Sequence, residues 1–200
     1  MAAGGASRDA AAGGLAFSCH CGALAGHVPA LGVKAGTRIA CHCADCRANE
    51  LYHGQPDPAP EPVDLFQLSP DAITITQGAQ HLKAIRLSPR GPLRWYAACC
   101  GTPFANTLAW PGLPFAGMRA DLFQDKAALG KRRAEAFIPQ TGKPPRTKGA
   151  GVMVWRVLSR MLAARLSGRW RQSPFFDAAS GKPVADVHLL SREERALLYR

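Results

Sequence analysis

No run in this 200-residue chain approaches the ~18 consecutive apolar residues of a membrane-spanning helix, which argues against an ordinary helical membrane protein. Residues 1–14 are nearly all Ala and Gly around Arg8 and Asp9. They lack the basic start and long apolar run of a secretory signal peptide and are expected to be a disordered leader. Cysteine is absent from the prospective core: all seven fall in three short clusters, so a disulfide framework is not indicated. An odd number of closely spaced thiols suits a reducing compartment, and a cytoplasmic location is expected. Acidic residues are scarce, 14 against 25 Lys and Arg, for a net charge of +11. Between Lys131 and Arg171 eleven cations face only Glu135, so this stretch carries +10 and the cysteine-bearing part is close to neutral. The basic stretch is not expected to interleave exposed aromatics with its cations, and a single basic helix is a weak nucleic-acid signature. Neither nucleic acid nor a membrane is expected as a partner.

The cysteines are what the chain does have. They read Cys19-His20-Cys21-Gly22, then Cys41-His42-Cys43-Ala44-Asp45-Cys46, then Cys99-Cys100-Gly101. Thiols one or two residues apart do not bridge easily to one another and are better placed around a shared ion. Thiolate is a soft ligand, and zinc is the metal that most often takes three or four of them. Iron–sulfur clusters use other spacings. A lone cysteine would more simply be a small buried hydrophobe, but three clusters, two of them followed by glycine, point to metal. Glycine after a cysteine lets the backbone turn around an ion through positive φ.

The rest of the first two-thirds reads as short strands. Leu15 to Ser18 and Ala23 to Val28 make a hairpin with the first cluster at its turn. Thr37 to Cys41 is a strand delivering the second cluster, and the four prolines of Gln55 to Pro62 require an extended loop. Val63 to Leu68 and Ala72 to Gln77 read as strands joined by Ser69-Pro70-Asp71, and Lys83 to Leu87 and Leu93 to Tyr96 as two more. Asp121 to Leu129 reads as a short helix ended by Gly130. Residues 139–151, rich in Pro, Gly, Lys and Thr, read as a linker. Val152 to Leu166 is expected as a helix that lays Trp155, Leu158, Leu162 and Leu166 on an apolar surface, with Arg156 and Arg160 on its other sides. Ser191 with Glu194 three residues on forms a capping box for a last helix.

The three motifs together resemble the glutathione-dependent formaldehyde-activating enzyme family, which includes the centromere protein V group. That family's signature runs Cys-x-Cys-Gly, Cys-His-Cys-x-x-Cys-Arg and Cys-x-x-Cys-Gly-Thr-Pro. Here Cys19 to Gly22, Cys41 to Arg47 and Ala97 to Pro103 stand in those places, and the resemblance covers about half the chain. It implies a mainly β fold, a small tent of short antiparallel strands pinned by zinc. The division that follows is a zinc-binding β domain over 15–138, a linker over 139–151 and a basic helical C-terminal extension over 152–200. The implied activity is that of a carbon–sulfur lyase, joining formaldehyde to glutathione as S-hydroxymethylglutathione or the reverse. The resemblance also implies two zinc sites. One, structural, involves Cys19, Cys21 and Cys100; the other, with an open fourth position, is held by Cys41, Cys43 and Cys46. The chain departs at Ala97, where the family has a thiol. The first site then borrows Cys99, takes another ligand such as a histidine, or is degenerate.

His20 and His42, each between two cysteines, read as solvent-facing or as second-layer residues. Arg47 reads either as a holder of an acidic substrate carboxylate or as a solvated surface arginine. Trp95, Tyr96, Phe104 and Trp110 read as core. Two functions follow. One is an enzyme acting on glutathione-like thiol adducts. The other is a zinc-stabilised binding module without chemistry, contacting a partner through its basic C-terminal part.

Overall fold

A computed structural model describes residues 14–199, so the expected leader, save Gly14, lies outside the described residues. The chain is mainly β, with helix concentrated late. β1 (Leu15–Ser18) and β2 (Ala25–Val28) form the expected antiparallel hairpin. A short helix, α1 (Ala30–Ala35), leads into β3 (Thr37–Cys41), and α2 (Ala44–Tyr52) starts directly on the second cysteine cluster. Then come β4 (Val63–Leu68), β5 (Thr74–Gln77), β6 (Leu82–Arg86), β7 (Leu93–Ala97), β8 (Thr102–Thr107) and β9 (Ala116–Arg119). β10 (Ala134–Gln140), β11 (Lys143–Lys148), α3 (Ala150–Leu166), β12 (Val187–Leu189) and α4 (Arg192–Leu198) complete the order.

Two sheets result. A small one has the order β1-β2-β5, and a nine-stranded one runs β11-β10-β3-β4-β9-β8-β7-β6-β12. In the large sheet the β10–β3 and β12–β6 pairs are parallel. Central β4 is buried at nearly every position, so its sequence lacks the clean alternation of a half-exposed strand. Beside it, Arg38 on β3 grips Asp64 on β4 through Nη2 at 2.8 Å and Nε at 3.2 Å. The main core draws Phe17, Leu24, Phe66, Trp95, Phe104 and Met118 from strands and turns of both sheets. Trp95 and Phe104 are core, as expected, and the Trp95 indole donates to the Thr107 hydroxyl at 2.9 Å; Trp110 is 57% exposed. Phe175, beyond α3, returns to this core and packs 5.0 Å from Trp95, ring centre to ring centre.

The structure departs from the sequence reading in five places, each with a local cause. Strands β4 and β5 do not pair with each other, because Pro70 starts a 3₁₀ turn that carries β5 over to β2 in the small sheet. The segment 121–129 is not one helix but two separate 3₁₀ turns, Ala120–Leu122 and Ala127–Leu129. Residues 139–151 are not an open linker: β10 and β11 make a hairpin there. Pro144 and Pro145 are tolerated because β11 is an edge strand and its register with β10 shifts between Ile138↔Arg146 and Gln140↔Lys143, which leaves both prolines out of the paired positions. Helix α2 carries buried Asn49 and Glu50, polar residues that interrupt the apolar period by which a helix is recognised.

The fifth departure concerns α3, which has the opposite face inward. Trp155, Leu158, Leu162 and Leu166 are 72%, 55%, 59% and 80% exposed, while Ala164 is fully buried. The arginine side docks instead. Arg156 donates from Nε to the Thr37 hydroxyl at 3.0 Å and from Nη2 to the Gly36 carbonyl at 3.0 Å. Arg160 donates from Nη1 to the same hydroxyl at 2.8 Å and to the Ala35 carbonyl at 2.9 Å. The last carbonyls of a helix lack intrahelical partners and carry partial negative charge, so the C-terminal end of α1 calls for cationic donors. Burial, followed by repulsion from Arg156, brings the Arg160 pKa down to about 10, which still leaves it charged at neutral pH.

Thr37→Val keeps the shape of this buried side chain and removes the one acceptor both guanidinium groups share. A loss of about 1–3 kcal/mol is expected, the cost of a buried donor left unpaired. Amide hydrogen exchange across residues 150–166 should quicken more than that of β7 and β8. Unchanged stability and unchanged exchange in α3 would show that the arginine clamp does not hold the helix.

Candidate metal centres

The seven cysteines converge on two points. Cys19 and Cys21 sit in the β1–β2 turn, and Cys99 and Cys100 in the β7–β8 turn about 80 residues on. Their sulfurs lie 3.6 Å apart for Cys19–Cys21, 3.7 Å for Cys19–Cys99, 3.5 Å for Cys21–Cys99 and 3.9 Å for Cys99–Cys100. Four sulfurs at ~2.3 Å from a tetrahedral zinc stand about 3.8 Å from each other, so this donor set fits the ion. A disulfide would need about 2.05 Å, and all seven cysteines are free. Gly22 and Gly101, with φ of 77° and 68°, let the two backbones turn under the sulfurs, as the sequence reading expects.

The missing thiol at Ala97 is thereby replaced. Ala97 is fully buried on β7, and its carbonyl accepts the N–H groups of Cys100 and Gly101 at 3.2 and 2.9 Å. That turn brings the neighbouring pair Cys99 and Cys100 round so that both sulfurs join Cys19 and Cys21. Neither histidine of the sequence motifs is needed. His20 lies 3.7 Å from Asp121 instead.

Cys41, Cys43 and Cys46 form the second cluster, with sulfur separations of 3.4 Å for Cys41–Cys43 and 3.6 Å for Cys41–Cys46. Among the described residues no fourth His, Cys, Asp or Glu joins them. The set is built by the junction of β3 with α2. Cys43 caps the helix, its sulfur accepting the Cys46 N–H at 3.3 Å. A helix N-terminus favours a thiolate at that position. Contacts from the Cys41 and Cys46 thiols, together with that backbone N–H and the positive charge of Arg94, pull the Cys43 pKa down to about 2. The same contact with Cys43 pushes Cys41 up to about 11. Negative charge therefore rests on Cys43 while Cys41 keeps its proton until a cation takes its place.

Sequence reasoning misses the support around this cluster. Arg94, nearly fully buried on β7, points Nη2 at Asp45 of α2, 3.5 Å away, and donates from Nη1 to Asn106 at 3.2 Å. A charged residue inside an otherwise apolar strand, Leu93-Arg94-Trp95, is the signal that was there to be found. Three thiolates around a divalent ion leave net negative charge, which a buried guanidinium offsets. The Tyr199 hydroxyl also donates to Asp45, tying the C-terminal end to the start of α2. Glu50, buried further along the helix, pairs with Arg119. At the far end the His53 carbonyl lies against Gly101, and the Gln55 amide donates to the Gly101 carbonyl at 3.4 Å, so α2 spans from one cluster to the other.

A cleft of about 360 Å³ opens on the three-thiol cluster, with Cys41, Cys43, His42, Arg47, Pro60 and Glu61 in its wall. His42 is mostly buried and its Nε2 is 2.9 Å from Glu135 of β10. The hydrogen bond to His42, ahead of Lys148, holds the Glu135 carboxyl below its usual range, so an ionised carboxylate accepts from Nε2–H. Arg47 faces the cleft and grips Asp57 of the proline-rich loop, from Nε at 2.8 Å and from Nη2 at 2.6 Å. It thus positions the loop that forms the cleft's far wall.

Cys99→Ala should weaken ion retention against a chelator by at least about tenfold and lower the melting temperature, because it opens a closed four-sulfur set. Ala97→Cys should change neither, since Cys99 already supplies the fourth sulfur. Chelator titration followed by elemental analysis checks both; tighter retention in Ala97→Cys would contradict the assignment of Cys99.

No curated protein matches the chain. Among solved structures, a crystal structure of a Rhodobacter sphaeroides protein aligns at 18% identity with a TM-score of 0.40, over 58% of this chain and 96% of that one. That likeness is too slight to carry an argument. A family model described as a family of unknown function, DUF6151, matches residues 12–188, and the chain belongs to that family.

Proposed function

We propose that this protein is a zinc-dependent carbon–sulfur lyase of the formaldehyde-activating type, working on adducts of a glutathione-like thiol with a small aldehyde. The observation that carries the reading is the three-thiol cluster, short of a fourth protein ligand among the described residues and facing a cleft. It is supported by the motif resemblance around Cys41 to Arg47. The four-thiol cluster is then the structural site, pinning the β1–β2 turn to the β7–β8 turn.

Cys41, Cys43 and Cys46 would hold the zinc, which when bound would supply Lewis acidity to lower the pKa of an incoming thiol. The remaining work falls to side chains. In the forward direction a sulfur–carbon bond forms, the carbonyl π bond opens, and the thiol proton ends on the new hydroxyl. His42 is the group placed to move that proton. Its Nε2–H is committed to Glu135, which leaves Nδ1 as the acceptor. Arg47 meets a substrate carboxylate, and Glu61 a substrate ammonium group, at the two sides of the cleft. The proline-rich loop held by Arg47 forms the far wall of the cleft.

Exchange NMR of glutathione and formaldehyde, with and without the zinc-loaded protein, tests the reading. Adduct formation and breakdown should run faster than in buffer. Cys43→Ala should abolish the effect, and His42→Gln should reduce it by about 10²-fold or more. Exchange no faster than in buffer would defeat the lyase reading and leave the metal-stabilised binding module.

A further inference from the structure

The outward face of α3 is the largest feature that the metal chemistry does not use. Trp155, Leu158, Leu162 and Leu166 form one exposed apolar stripe along the 17-residue helix. Monomeric soluble proteins rarely leave a continuous apolar stripe of this kind uncovered. The apolar surface continues sideways onto α1, where Leu31 is 81% exposed and, with Ala163, lines a cavity of about 420 Å³ between the two helices.

Charge identifies what covers the stripe. α3 itself carries no acidic residue, and its two mid-helix arginines are turned inward against α1. Exposed cations stand at both ends instead. Lys143, Arg146 and Lys148 lie on the edge strand that feeds into the helix, and Arg165, Arg169 and Arg171 at and after its end; of these, Lys148 lies 3.9 Å from Glu135 and Arg169 3.2 Å from Asp71. Aromatic rings accompany the second group: Arg165 stacks over Trp110 and Trp170 at 5.5 and 5.1 Å, and Trp110 is itself exposed. A second copy of the chain would bring these exposed end cations against their like, with no acidic residue on α3 to meet them. A duplex would leave the apolar stripe in water. An anionic bilayer surface answers both halves of the pattern. Leucines enter the acyl boundary, tryptophans sit at the headgroup level, and the flanking cations meet lipid phosphates and carboxylates.

We infer that the outward face of α3, with Leu31 beside it, is a docking surface for acidic phospholipid membranes, on which the protein lies without spanning. None of the described helices is long and apolar enough to cross a bilayer, consistent with peripheral attachment. The orientation of the helix is what makes this surface. Were the stripe turned inward, as the sequence pattern alone suggests, only cations would face out and the attraction would be that of charge without insertion.

Co-sedimentation of the full reduced chain with phosphatidylcholine vesicles, with and without phosphatidylserine, tests this. Binding should appear with the acidic vesicles, weaken as salt is raised, and shift tryptophan emission to shorter wavelength. Leu158→Ser combined with Leu162→Ser should cut the partition coefficient at least about tenfold. The melting temperature should hold, since both side chains are exposed. Lys143→Glu with Arg146→Glu should reduce binding to acidic vesicles alone. Three results would overturn the inference. They are no sedimentation with acidic vesicles, binding that ignores the leucine substitutions, or lipid-free self-association that the same leucine substitutions abolish.

Discussion

Sulfur atoms held 3.4 to 3.9 Å apart in groups of three and four repel one another once ionised, and a cation between them turns that repulsion into attraction. Two junctions of the architecture are arranged around this constraint. The four-thiol group joins the turn of the small sheet to a turn of the large one. The two sheets otherwise meet through the apolar core around Phe17, Phe66 and Phe104. Ion binding at such a group is folding energy, because the unfolded chain does not hold the sulfurs together. The three-thiol group lies where a strand passes directly into a helix, so its geometry is set by backbone and not by a loop.

Helix α2 links the two groups physically. Cys43 caps its start and Cys46 lies in its first turn, while His53 and Gln55, just after its end, lean on Gly101 beside the other cluster. Its charged side chains serve as anchors: Asp45 to Arg94 and Tyr199, Arg47 to Asp57, Glu50 to Arg119. These contacts leave the helix little freedom to rotate, and a cluster at its N-terminal end inherits that rigidity. In this arrangement Arg47 is a loop anchor first, and its availability to a ligand depends on sharing with Asp57.

The cysteine grouping, the strand content and the glycine turns were legible in the residues because each rests on local chemistry. The place of Cys99 was legible only as one option among several, because whether two neighbouring thiols reach one ion is decided by how a hairpin 80 positions away approaches them. Arg94 and Glu135 went unread because their partners, Asp45 and His42, are distant in the chain. The apolar period of α3 announced a helix with two unlike faces. Which face turns inward was decided elsewhere, by carbonyls at the end of α1 more than 100 residues earlier. Hydrophobic patterning predicts burial only where the polar face has no stronger claim.

The central claim is that both clusters are ion sites, one closed and one open. The most direct measurement is the intact mass of the natively folded chain under reducing, non-denaturing conditions, prepared with zinc present. The account predicts two zinc ions per chain, one for each cluster. A chain that folds fully with neither ion bound, its thiols reduced, would contradict it.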